Sequence, residues 1–101
     1  MFASVHHYHG SPGLADRLYS NFDEIERAMR ITPGFIAYYV MKTREGATTI
    51  TFGSGKSDVE DSNRITSSWI RQNMPLVILR PPEFQVGEIV VATFGKTKVR
   101  V

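Results

Sequence analysis

The sequence predicts an α+β domain in which one antiparallel sheet of four strands carries two helices on one face. Three observations lead there. Thr32-Pro33-Gly34-Phe35 closes a helical pattern with two hard stops, then opens the strand-like run Phe35-Ile36-Ala37-Tyr38-Tyr39-Val40. Proline cannot continue a helix, and glycine takes the positive φ that a helix exit often needs. Ser57-Asp58-Val59-Glu60 reads as a capping box that opens a second helix. Strand-like runs flank both helices, so the order is βαββαβ, the split βαβ or ferredoxin-like arrangement.

The elements follow in order. Phe2 to His9 is a strand whose faces are Phe2, Ser4, His6, Tyr8 and Ala3, Val5, His7, His9. Gly10 ends it, and Ser11-Pro12 offers an N-cap and a first helical position. Leu14, Leu18, Phe22, Ile25 and Met29 then form one apolar stripe, so a single helix is expected to about Ile31. Phe35 to Lys42 and Ala47 to Phe52 make a hairpin through Arg44-Glu45-Gly46. The second helix runs from Ser57 to about Asn73. Met74 to Leu79 reads as a helical turn or loop, and Pro81-Pro82 stops any continuation. Glu83 to Phe94 is the last strand, centred on Glu88 to Ala92.

The 101 residues fit one domain spanning 1–101, with a tail from about 95. The charge of +2 comes from 12 basic and 10 acidic residues scattered along the chain. Nucleic-acid binders collect Lys and Arg on one face, so nucleic acid is not expected as a partner. The third strand also lacks the paired aromatics of an RNA-recognition module. With no cysteine, disulfides, thiolate metal sites and a cysteine nucleophile are excluded. Phe2 to Tyr8 is too polar for a signal h-region, and no apolar run reaches the roughly 18–20 residues of a membrane span. The expectation is a soluble cytoplasmic protein. Gly55-Lys56-Ser57 sits between strand and helix like a P-loop, but Ile50 stands where that motif's first glycine belongs.

Helices on one face leave the other sheet face apolar and uncovered. Packing that face on a second copy would bury it, so a two-fold homodimer is expected. The second helix is the unusual element. Its inward stripe is Val59, Ser62, Asn63, Thr66, Trp69, Ile70 and Asn73, with polar residues among apolar ones. Such groups either bond to one another or face a pocket. Strand alternation keeps His6, His7 and His9 from converging on one metal, so no metal site is expected. One of His6 or His7 can face the pocket as a base, the register deciding which. Tyr38 and Tyr39 point to opposite faces.

The opening Phe2-Ala3-Ser4-Val5 strand, the Pro33-Gly34-Phe35 joint, and Asn63-Arg64 followed by Trp69 resemble the antibiotic biosynthesis monooxygenase-like proteins from Phe2 to about Val91. The resemblance implies a dimeric α+β barrel. It also implies a cofactor-independent monooxygenase-like activity on a small aromatic or quinol-type molecule, in a pocket between the second helix and the sheet. On that reading Asn63 stabilises a substrate anion and His7 or His6 takes a proton. Trp69, Phe52, Tyr39 and Thr66 contact the substrate, and no cofactor is required. Gly53 stands where many members carry an aromatic residue, and Asn63 roughly where many carry a histidine. The haem-degrading branch places a histidine beyond its helical tryptophan, whereas none follows Trp69. The other expectation is a non-catalytic dimeric module that binds a small ligand or serves assembly.

Overall fold

A computed structural model describes residues 1–74 and 81–95. Its elements are β1 (Phe2–Tyr8), α1 (Leu14–Ser20), α2 (Phe22–Arg30), β2 (Phe35–Thr43), β3 (Gly46–Gly53), α3 (Lys56–Asn73) and β4 (Glu83–Glu88). The strands form one antiparallel sheet in the order β2-β3-β1-β4. This is the ferredoxin-like α+β fold. No helix among the described residues is long and apolar enough to cross a membrane.

The first helical segment differs from its expected single helix. It breaks at Asn21, whose backbone leaves helical geometry (φ −116°, ψ 18°) while its side-chain amide donates to the Arg17 carbonyl at 2.8 Å. A side chain that can bond nearby backbone groups offers the chain an alternative to the next helical turn. The helix also begins later than Ser11-Pro12. Gly13 is its N-cap, and Ser11 is spent in a turn that ties the Glu45 carbonyl to its own amide at 2.9 Å. The apolar spacing survives the break, because Leu14, Leu18, Ile25 and Met29 are all buried. Each such side chain contributes about 1.5–3 kcal/mol by leaving water.

Two further boundaries move. The capping of α3 uses Gly55 as N-cap, with the Asp58 carboxylate accepting its amide at 3.0 Å, in place of the Ser57–Glu60 pair. β4 ends at Glu88, opposite Phe2, the first residue of β1. Beyond that point the neighbouring strand has run out, and one bond from the Ile89 amide to the Met1 carbonyl (2.9 Å) is the last of the ladder. Val90, Val91 and Phe94 stand exposed. The segment after Met74 and the basic tail from Lys96 lie outside the described residues.

The joint between α2 and β2 is built on Gly34, at φ 78°. Its carbonyl accepts the Ser54 amide at 2.8 Å, which draws it against the start of α3. A Cβ there would lie 2.2 Å from the Asp58 carboxylate, itself fixed by the cap bond. Gly10 has a similar φ of 75° but open space around it. Gly10→Ala is therefore expected to cost about 1–2 kcal/mol through backbone strain. Gly34→Ala should cost about 1–3 kcal/mol beyond that, through the clash. Urea unfolding of the two variants checks the difference, and equal losses would mean that Asp58 yields freely.

Candidate functional site

Register decides which side chains meet α3. In β1, Ser4, His6 and Tyr8 are buried on the helix side, while Ala3, Val5 and His7 alternate to the open face. Ser4 lies opposite Thr51 of β3, and Thr51 is in turn opposite Tyr38 of β2. Facing them from α3 are Val59, Ser62, Thr66 and Ile70, all buried, with Asn63 at the flank. A layer rich in hydroxyls therefore lies where a small domain usually places aliphatic side chains.

Asn63 ties this layer together. Its side-chain amide donates to Ser4 Oγ at 2.6 Å, and its carbonyl oxygen accepts from Thr51 Oγ1 at 3.0 Å. One side chain thus bridges both central strands. Three other hydroxyls, those of Tyr38, Ser62 and Thr66, are buried without a hydrogen bond. An unsatisfied buried group costs about 1–3 kcal/mol, so their retention calls for an explanation. Burial holds the Tyr38 phenol well above the usual tyrosine range, opposed by the nearby Thr66 and Thr49 hydroxyls. Tyr38 and Thr66 therefore present their hydroxyls to each other across the layer.

His6 is the histidine on this side. Its ring stacks on Phe84 of β4, with centroids 5.0 Å apart and planes 10° from parallel. Burial first, then charge on His7, lowers its pKa from 6.5. Tyr8, next along the same face, is pushed upward by burial, with the Ser67 hydroxyl opposing. His7 lies on the open face, bonded through Nδ1 to Thr48 Oγ1 at 3.0 Å. His9 rests between Glu45 (3.5 Å) and Glu83 (3.4 Å) at the sheet end. Among the described residues no three His, Asp or Glu side chains come together to hold a metal.

The seven residues expected from sequence fall on three surfaces. His6, Asn63 and Thr66 are in the layer between α3 and the sheet. Tyr39 and Phe52 meet edge to face at 6.0 Å on the open sheet face, which His7 shares. Trp69 points toward α2, where its indole N–H donates to the Glu24 carboxylate. It lines an open groove of about 580 Å³ with Ile25, Ala28, Arg64 and Ile65. Asn63 and Trp69 are six positions apart, which at about 3.6 residues per turn sets them about 120° apart, on opposite flanks of the buried stripe. That angle was available from spacing alone, as was the place of Ser4 on the face of His6. Tyr38 was readable only as one of two alternatives, because strand register is not encoded locally.

No protein-family model matches the sequence, and no curated protein is significantly similar to it. Solved structures do match. A protein of unknown function from Nitrosomonas europaea aligns over 93% of each chain with a TM-score of 0.70 and 13% identity. The haem-degrading protein MhuD of Mycobacterium tuberculosis, with two haems in its active site, aligns over 93% of this chain and 100% of its own. Its TM-score is 0.66 at 13% identity. The ActVA-Orf6 monooxygenase of Streptomyces coelicolor, in complex with nanaomycin D, aligns over 93% of this chain and 90% of its own. There the TM-score is 0.64 at 16% identity. At such identities the likeness is one of fold, and the fold is that of the antibiotic biosynthesis monooxygenase structures.

Proposed function

We propose that the chain is a cofactor-independent monooxygenase acting on a small aromatic or quinol-type molecule held between α3 and the sheet. The observation that carries this reading is the polar layer around Asn63, with a buried histidine on the same face of β1. A histidine held below its ordinary pKa is neutral at pH 7 and ready to accept a proton. Deprotonating an anthrone or quinol yields an electron-rich anion that reduces oxygen itself. For an anthrone CH₂, one oxygen atom becomes the new carbonyl and the other leaves as water, so no external reductant is needed. Asn63 would offer its amide N–H to the anion, and Thr66 would contact the substrate from the next turn of α3. His7, Tyr39, Phe52 and Trp69 lie outside this layer. The first three would act at the interface between two copies, where apolar Tyr39 and Met41 are exposed on the open face. The fold likeness to a nanaomycin-bound monooxygenase supports an aromatic ligand.

One observation favours the second reading, a non-catalytic dimeric ligand-binding module. The Asn63 amide already bonds Ser4 and Thr51, which is what a purely structural role requires.

Oxygen uptake with a panel of reduced quinols and anthrones separates the two. Asn63→Ala is expected to lower uptake by about 10²-fold, as loss of one anion-stabilising donor does. Equal uptake by wild type and variant would remove Asn63 from the mechanism, and no uptake by wild type would favour the binding module. Light scattering at micromolar concentration should give twice the mass of one chain, and a monomer would count against pairing through the open face.

His6 also makes stability depend on pH. Its folded pKa lies below the unfolded value of 6.5, so the neutral form is favoured by folding. Its contribution is complete above pH 6.5 and is lost as pH falls below that toward the folded value. Urea unfolding across this range should show wild type losing stability more steeply than His6→Gln. Parallel profiles would mean that His6 is not desolvated.

A further inference from the structure

The open face of the sheet is mostly apolar, yet two histidines stand on it. Ala3 and Val5 of β1, Ile50 and Phe52 of β3, and Tyr39 and Met41 of β2 make its apolar part. β1, β2 and β3 are 7, 9 and 8 residues long. At about 3.3 Å per residue and about 4.8 Å between strands, the face spans about 20 by 25 Å. Two such faces together would cover about 1,000 Å², the lower bound of a specific interface. A second copy is the occupant that fits, because it brings an apolar face of equal outline.

His7 lies on β1, one of the two inner strands, with Thr48 and Met41 beside it across the sheet. Its Nδ1 is bonded to Thr48 Oγ1 at 3.0 Å, and a hydroxyl serves the neutral and the protonated ring alike. His9 stacks on it, with centroids 6.4 Å apart. Its partner on β4 is Glu83, but that carboxylate is turned to His9 Nε2 at 3.4 Å. Glu45 takes the other nitrogen of His9 at 3.5 Å. His6 projects from the opposite side of the strand, and charge on His7 opposes charge there. A proton on His9 therefore meets two carboxylates. A proton on His7 meets histidines, a hydroxyl and apolar side chains.

We propose that the open face pairs two copies of this chain only while His7 is neutral, so that acidification below pH 7 separates them. This rests on the reading that the copies meet through this face. In the lone chain His7 is exposed, and water solvates its charge. In the pair the same charge would enter an apolar seam, where an unpaired cation is costly and the ring stays neutral instead. Separation thus takes up one proton per chain, and low pH drives it. Two such histidines weaken a dimer by about 100-fold between pH 7.5 and 5.5.

Sedimentation velocity at the two pH values, with circular dichroism to follow the fold, tests this. Wild type should pair at pH 7.5, with a dissociation constant about 100-fold higher at pH 5.5. His7→Gln takes no proton and should hold its dimer at both. His7→Lys, charged throughout, should be monomeric at pH 7.5 where wild type pairs. The lysine variant needs no acid, so it decides the matter even if protonation of His6 loosens the fold at pH 5.5. Equal pairing of wild type at both pH values would overturn the gate and leave the interface standing. An unaltered pH response in His7→Gln, or wild-type pairing by His7→Lys, would take the role from His7. Wild type that is monomeric at pH 7.5 would instead remove pairing through this face, and the gate with it.

Discussion

One side-chain amide, that of Asn63, bonds the middle of α3 to both central strands, and the arrangement of the polar layer depends on it. Ser4 and Thr51 form a cross-strand pair, so a single helical residue that engages both fixes the height and rotation of α3 over the sheet. That rotation in turn places Ser62 and Thr66 inward and Trp69 toward α2. Aliphatic packing alone would hold the helix against the sheet but would tolerate sliding, because apolar contacts are non-directional. The two hydrogen bonds make the position specific.

The second constraint is at the α2–β2 joint. Gly34 lets the chain reverse in a conformation that other residues resist, and its carbonyl captures Ser54. The start of α3 is therefore held from the side by the exit of α2, while Asn63 holds its middle. The hydrophobic cluster of Leu14, Leu18, Ile25, Met29, Ile70 and Met74 fills the space between the helices and the sheet beyond the polar layer.

Much of this was legible in the sequence, and the remainder had physical reasons to be hidden. Pro33-Gly34 and the apolar stripe from Leu14 to Met29 carry local signals strong enough to set element type and face. The polar residues of α3 also announced themselves, because Ser62, Asn63 and Thr66 interrupt an otherwise apolar stripe. The helix break at Asn21 and the cap at Gly55 turned on single side-chain bonds that compete with neighbours of similar propensity. The early end of β4 depends on where a different strand begins, which no local pattern contains. The choice between His6 and His7, and between Tyr38 and Tyr39, rests on a register shared by three strands. Grouping Trp69 with Asn63 failed for another reason, since a broad helical stripe has two flanks that face different neighbours.

Trp69 is the chain's one tryptophan, and its indole looks away from the polar layer toward Glu24. Its emission is therefore an optical reporter of the α2–α3 seam. Tryptophan emission, excited apart from the tyrosines, will register the parting of those two helices, while rearrangements among the hydroxyls beneath α3 pass with little change in that signal. Of the two sides of α3, only the outer one carries a tryptophan.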